Sequence, residues 1–226
     1  MDGREPVAFS YVNSGCSIPE KEDDFDHWYQ NTHFVDVVKG DYLTNPVMFH
    51  NTRPTDTEGK LIALYEIYWD DIEAGSAHFT KNFTPHLRAD FDAQPGFRRD
   101  YRNTYRVLRR LFGPEGGKVS RSLLAVRVDA SDPARLDEFK AWYADVRLPD
   151  VVGAGLYHTG SFAESVGAAE GIAGEPGRAR FVGLYESEDP DAEGLARRLE
   201  EFIAVKPAPD FVRVEATRTA RRASPV

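Results

Sequence analysis

Residues 25–38 read FDHWYQNTHFVDVV, and residues 139–152 read FKAWYADVRLPDVV. Phe25, Trp28, Tyr29, Asp36, Val37 and Val38 match Phe139, Trp142, Tyr143, Asp150, Val151 and Val152 without a gap. Two of the chain's three tryptophans fall on equivalent positions, which chance explains poorly. Downstream, LIALYEI at 61–67 matches FVGLYES at 181–187, pairing Leu64, Tyr65 and Glu66 with Leu184, Tyr185 and Glu186. A repeat of this length marks a duplicated structural unit. The offset grows from 114 to 120 residues, placing a longer loop in the second copy, at the Gly/Ala-rich stretch Glu164–Arg180.

Each copy reads as the same order of elements. Val7–Asn13 is rich in β-branched and aromatic residues and predicts a strand. In Glu22–Lys39, Phe25, Trp28, Tyr29, Thr32 and Asp36 recur at helical spacing. Strands follow over Tyr42–His50 and Leu61–Trp69, then a helix over Glu73–Asn82 and a last strand over Arg98–Leu108. The second copy predicts strands near 122–129, 155–163, 180–187 and 210–218, with helices near 132–148 and 191–204. The turn-rich 111–120, LFGPEGGKVS, separates a first repeat at 1–110 from a second at 121–226. A β-α-β-β-α-β unit is the ferredoxin-like motif, with both helices on one face of an antiparallel sheet. The expected fold is therefore α+β, two ferredoxin-like repeats whose sheets pack into one pseudo-dimeric α/β barrel with no free edges.

The 226 residues are 41% hydrophobic and 29% charged, an ordinary globular composition. Met1–Pro6 is charged and polar, and no apolar run nears the ~20 residues that span a bilayer, so a soluble, cytoplasmic protein without membrane contact is expected. A net charge of −9 argues against nucleic acid. Arg98, Arg99, Arg102, Arg106, Arg109 and Arg110 form a basic stretch that rows of arginine on a solvent-facing strand edge would explain. The single cysteine, Cys16, cannot form an internal disulfide, and no Cys/His cluster or HExxH spacing points to a metal. Hydrolase, NTPase and dinucleotide-binding motifs are absent.

The F-x-x-W-Y-x-x-x-H-x-x-D pattern with a later LYE strand resembles the dimeric α/β-barrel superfamily in tandem form, nearest the EthD-like proteins and small polyketide cyclases. The resemblance covers roughly 6–108 and 120–219. It implies a pocket between each sheet and its helices, lined by a histidine at the position of His33. The superfamily includes cofactor-free cyclases, isomerases, dehydratases and monooxygenases, haem-binding enzymes, and proteins without catalysis, so fold alone does not choose a reaction.

The two copies differ at His33, which Arg147 replaces in the second. A histidine can move a proton from carbon beside a carbonyl, or from a phenol. Asp36, three residues on, is placed to orient that imidazole, although its recurrence as Asp150 also suits a capping role. Trp28 and Tyr29 are candidate walls for a flat ligand, and His50 and Tyr65 candidate groups for a carbonyl oxygen. Five of the six histidines lie in the first half, which points to one active and one structural repeat. The leading expectation is a cofactor-independent enzyme on a small aromatic or polyketide-like molecule bearing a carbonyl or phenol, driving cyclisation, isomerisation or elimination. The alternatives are a cofactor-free or haem-dependent monooxygenase, with haem the minor cofactor option, and a non-catalytic ligand-binding or stress-related scaffold. An internal pseudo-dimer needs no partner chain, and a larger homo-oligomer stays open.

Overall fold

Eight strands close into one antiparallel barrel in the computed structural model, which describes residues 1–55, 57–114, 116–166 and 179–224. In the first repeat, β1 (Ala8–Cys16) is followed by a helix in two parts, α1 (Glu22–Trp28) and α2 (Phe34–Val38). Then come β2 (Thr44–Asn51), β3 (Leu61–Ile67), α3 (Ile72–Asn82), α4 (Thr84–Ala93) and β4 (Phe97–Phe112). The second repeat runs β5 (Ser122–Ala130), α5 (Leu136–Trp142), α6 (Leu148–Gly153), β6 (Thr159–Ser165), β7 (Phe181–Ser187), α7 (Ala192–Val205) and β8 (Val212–Arg222). Around the barrel the order is β1-β3-β2-β8-β5-β7-β6-β4, so each repeat contributes a four-stranded ferredoxin-like sheet. The expected α+β fold is the observed one. No helix among the described residues is long and apolar enough to cross a membrane.

Alternation along the strands divides the core. Ile62, Leu64, Leu123, Ala125, Val182 and Leu184 point into the barrel and fill it. Leu61, Ala63 and Tyr65 point outward beneath the first-repeat helices, as Phe181 and Tyr185 do beneath the second. Which face Tyr65 takes is thereby decided: it lies under the helices, while Glu66 turns the other way to meet Arg4, Asn45 and Tyr68.

Three expectations change. The helix of 22–39 is broken by a π-helical turn at Tyr29–His33, where the Phe34 N–H bonds the Tyr29 carbonyl. One extra residue in that turn slips the inward face by one position. Thr32 is exposed, whereas His33, Phe34 and Val37 are buried. The same slip at Tyr143–Arg147 buries Arg147, Leu148 and Val151. Second, α4 is an additional helix, and its second-repeat counterpart is missing: α7 ends at Val205 and β8 starts at Val212. Third, β4 is no sheet edge, since it pairs with both β1 and β6. It also runs to Phe112, two residues into the predicted linker. Of the predicted 164–180 loop, Glu164 and Ser165 belong to β6, and 167–178 lie outside the described residues.

Candidate functional site

A cavity of about 310 Å³ lies between the outer face of the first-repeat sheet and the π turn with helices α2, α3 and α4. His33, Tyr29 and Tyr65 line it, with Val12, Leu43 and Leu87 among its apolar walls. The π turn delivers His33 here, since an unbroken helix would have turned Thr32 inward instead. α4 closes the outer side through Thr84, Leu87, Arg88 and Phe91.

Aromatic rings hold His33 on three sides. Trp28 stacks on it at 5.4 Å with 22° between planes, Tyr29 meets it edge-on at 4.6 Å, and Phe91 lies 4.7 Å away. Its Nδ1 is buried without a hydrogen-bond partner. Burial, and then the positive charge of Arg99, push its pKa down to about 3, against a smaller opposing pull from Asp36. The imidazole is therefore neutral at neutral pH. Tyr65 donates to the Tyr29 hydroxyl at 3.4 Å, and burial raises the pKa of both phenols, keeping them protonated.

The arginines were missed as site residues. Arg99 and Arg102 line the cavity, and alternation alone would put residues three apart on opposite faces. A bulge at Asp100 corrects this: Tyr101 opposes Asn13 but Arg99 opposes Ser14, so Arg99 returns to the face of Arg102. Asp100 is held there by accepting from the Gly59 N–H at 2.8 Å. Arg99 lies over the rings of Phe91 and Phe97, 4.8 and 5.6 Å from their centroids.

The other sequence candidates fall elsewhere. Asp36 is not bonded to His33; its carboxylate accepts from Lys39 Nζ at 2.5 Å, because the slip at the π turn swings it toward the surface. Asp150 likewise accepts from Lys206. Orientation of His33 therefore comes from ring packing, not from Asp36. His50 is no part of the cavity wall, since its Nε2 faces Asp26 on α1 at 2.8 Å. Trp28 stands behind His33 rather than on the wall.

A larger cavity, of about 680 Å³, lies elsewhere in the second repeat, lined by Val152, Tyr157, His158, Leu195 and Arg198 but by none of the counterparts of Tyr29, His33, Tyr65, Arg99 or Arg102. Strand register aligns Val214 and Thr217 with Arg99 and Arg102, and Leu124 and Val128 with Ser10 and Ser14. Phe162 and Phe181 replace Met48 and Leu61 and stack on each other at 5.4 Å. Tyr143 lies across Gly183, where a Cβ would come within 2.0 Å of its hydroxyl. The first repeat carries Ala63 there. Arg147 packs on Trp142 and donates to the Lys206 carbonyl. No group of three or more metal-ligating side chains occurs among the described residues.

With this geometry the chain is similar to several solved structures. A candidate monooxygenase from Fusobacterium nucleatum subsp. nucleatum superposes with a TM-score of 0.57 at 13% identity, covering 97% of this chain and 93% of the other. An anthrone oxidase-like protein gives 0.54 at 15% identity, covering 99% and 94%. A variant chlorite dismutase from Candidatus Nitrospira defluvii gives 0.58 at 8% identity, covering 98% and 93%. The likeness shows the fold. It is a closed eight-stranded antiparallel barrel built from two ferredoxin-like repeats. No protein-family model matches the sequence, and no curated protein matches it.

Proposed function

We propose that this protein is an enzyme that oxidises a small carbonyl- or phenol-bearing aromatic molecule with dioxygen, without a resident cofactor, in the first-repeat cavity. One observation carries the reading: a neutral, buried His33 shares a cavity with Arg99 and Arg102, and the second repeat keeps none of the three. Two structures of the same fold bear names of the same chemistry, the candidate monooxygenase and the anthrone oxidase-like protein.

The chemistry begins with proton transfer. His33 accepts a proton from a carbon conjugated with the substrate carbonyl, beside it or, as in anthrone, across the ring from it, and the negative charge moves to the oxygen, where a guanidinium meets it. A base with so low a pKa is weak in the empty cavity. The charge that forms against Arg99 as the proton moves offsets the second-largest cause of that low value, so the imidazolium and the anion stabilise each other as they form. For a ring CH₂, the carbanion then reduces dioxygen. One oxygen atom becomes the product carbonyl, the other leaves as water, and the carbon supplies all four electrons. Tyr29, kept protonated and accepting from Tyr65, serves as a hydrogen-bond donor. Cyclisation or isomerisation would share the first step but consume no dioxygen.

Haem is the cofactor that the superfamily resemblance raises. The first-repeat cavity does not fit it. About 310 Å³ sits at the low end of ligand pockets and matches a molecule of two or three rings. Three aromatic rings also enclose the one histidine on its wall, where an axial ligand needs open space.

The test is oxygen uptake with anthrone as probe, above its uncatalysed oxidation. The expected result is one dioxygen consumed per anthraquinone formed by metal-free, haem-free protein, and loss of that activity in His33→Ala. Turnover that continues without oxygen would favour the cyclase or isomerase reading. Activity appearing only after haem addition would overturn the cofactor-free one.

A further inference from the structure

β4 carries six arginines, and they divide in two. Arg98, Arg106, Arg109 and Arg110 each have a carboxylate within ion-pair distance, from Asp100, Glu73, Asp145 and Glu186 respectively. Arg99 and Arg102 are the two on the cavity, and neither has an ion pair among the described residues. The charged side chains of the wall are three arginines and one aspartate, Asp92, in a chain of net charge −9. Asp92 and Arg88 are exposed on α4, whereas Arg99 and Arg102 are largely covered. The groups that act electrostatically on Arg102 are the like charge of Arg99 and then the phenols of Tyr65, Tyr42 and Tyr29, which carry no charge at neutral pH. Two covered like charges with no counter-ion are costly to a fold, and an anion from outside would relieve them.

We infer that the substrate carries a carboxylate in addition to its reacting carbonyl or phenol, and that Arg102 binds it while Arg99 meets the charge formed beside His33. The inference deepens the proposed function by naming the substrate class, and rests on the cavity being the substrate site. It does not depend on His33 being the base. Arg99 is the arginine with the stronger electrostatic effect on His33, so Arg102 is left for a group remote from the reaction. A guanidinium matches a carboxylate through two parallel hydrogen bonds. Val12, Leu43 and Phe79 offer the apolar contacts that a ring body needs.

The experiment is calorimetric titration of 2-naphthoate and of its neutral amide, 2-naphthamide, into the wild-type protein, Arg102→Gln and His33→Ala. The wild type is expected to prefer the acid at least ~tenfold. Arg102→Gln should bind both probes alike, His33→Ala should keep the preference, and thermal unfolding should show Arg102→Gln folded. Equal binding of acid and amide by the wild type, or a preference that survives in Arg102→Gln, overturns the carboxylate assignment and leaves the cavity as the substrate site. Binding of neither probe overturns both readings.

Discussion

The indole of Trp28 lies parallel to the imidazole of His33, with ring centroids 5.4 Å apart and the planes 22° from each other. The two residues are five apart in sequence and meet because the π turn between them adds a residue to the helix. Trp28 is thus a positioning residue. Trp28→Phe should keep a ring against His33 and cost little, whereas Trp28→Ala should lower kcat with a smaller effect on KM, and destabilise the fold by about 3 kcal/mol. Steady-state kinetics of the two variants, with urea unfolding, check this.

The low pKa of His33 makes stability depend on pH. The unfolded chain takes up a proton at this residue near the ordinary 6.5, while the native protein does so only near 3. In that window the unfolded state binds more protons, so stability falls as pH drops from about 6.5 towards 3. The contribution approaches about 1.4 kcal/mol per pH unit and is fully present above 6.5. Urea unfolding at pH 7, 5.5 and 4.5 should show a shallower decline in His33→Gln than in the wild type; equal slopes would contradict the burial of a neutral imidazole.

Arg102 should trade stability for function. Replacing an unpaired, covered cation with an apolar side chain of similar length removes an unfavourable charge. Arg102→Met is expected to raise the Tm of the ligand-free protein by a few degrees, the equivalent of about 1 kcal/mol. A lower Tm would mean that the guanidinium has a stabilising role in the empty fold.

Glu58 gives the opposite outcome. It is buried and accepts from Arg127 and from Arg218 Nε, the latter at 2.5 Å, so one carboxylate satisfies two arginines from β5 and β8. Glu58→Ala strands both cations and should cost about 3–5 kcal/mol. Its signature in urea unfolding is a lower midpoint, with binding of 2-naphthoate retained at temperatures where the variant is folded.

In the second repeat, Gly183→Ala forces a methyl group against the Tyr143 hydroxyl and should destabilise by about 1–3 kcal/mol. Adding Tyr143→Phe to it should recover part of the loss, since the closest approach is to that oxygen. Thermal unfolding of the single and double variants measures the recovery.

The repeat of Phe, Trp and Tyr made the barrel legible, because core aromatics recur wherever the same helix packs on the same sheet. His33 stood out because Arg147 replaces it. Asp36 misled: periodicity at 3.6 residues carries no trace of a π turn, which is a slip in backbone hydrogen bonding and moves every later side chain round the helix. Arg99 and Arg102 looked like solvent-facing strand residues because a bulge at Asp100, set by the Gly59 N–H, is also invisible to alternation. α4 hid in TPHLRADFDA, a segment with a proline and few apolar positions, whose apolar Leu87 and Phe91 face a cavity rather than a continuous core. One signal was available: Asn82 to Phe97 is a much longer span than Val205 to Val212, so the first repeat had extra chain to cover its sheet.

The most direct test of the central claim, that the first repeat alone is the active site, is the rate of oxygen uptake with anthrone for the wild type, His33→Ala and Arg147→Ala, the last two being equivalent positions of the repeats. A loss of at least ~100-fold in His33→Ala, with Arg147→Ala folded and near the wild-type rate, is the predicted result. A His33→Ala protein as active as the wild type, or a folded Arg147→Ala protein that has lost its activity, would contradict the account.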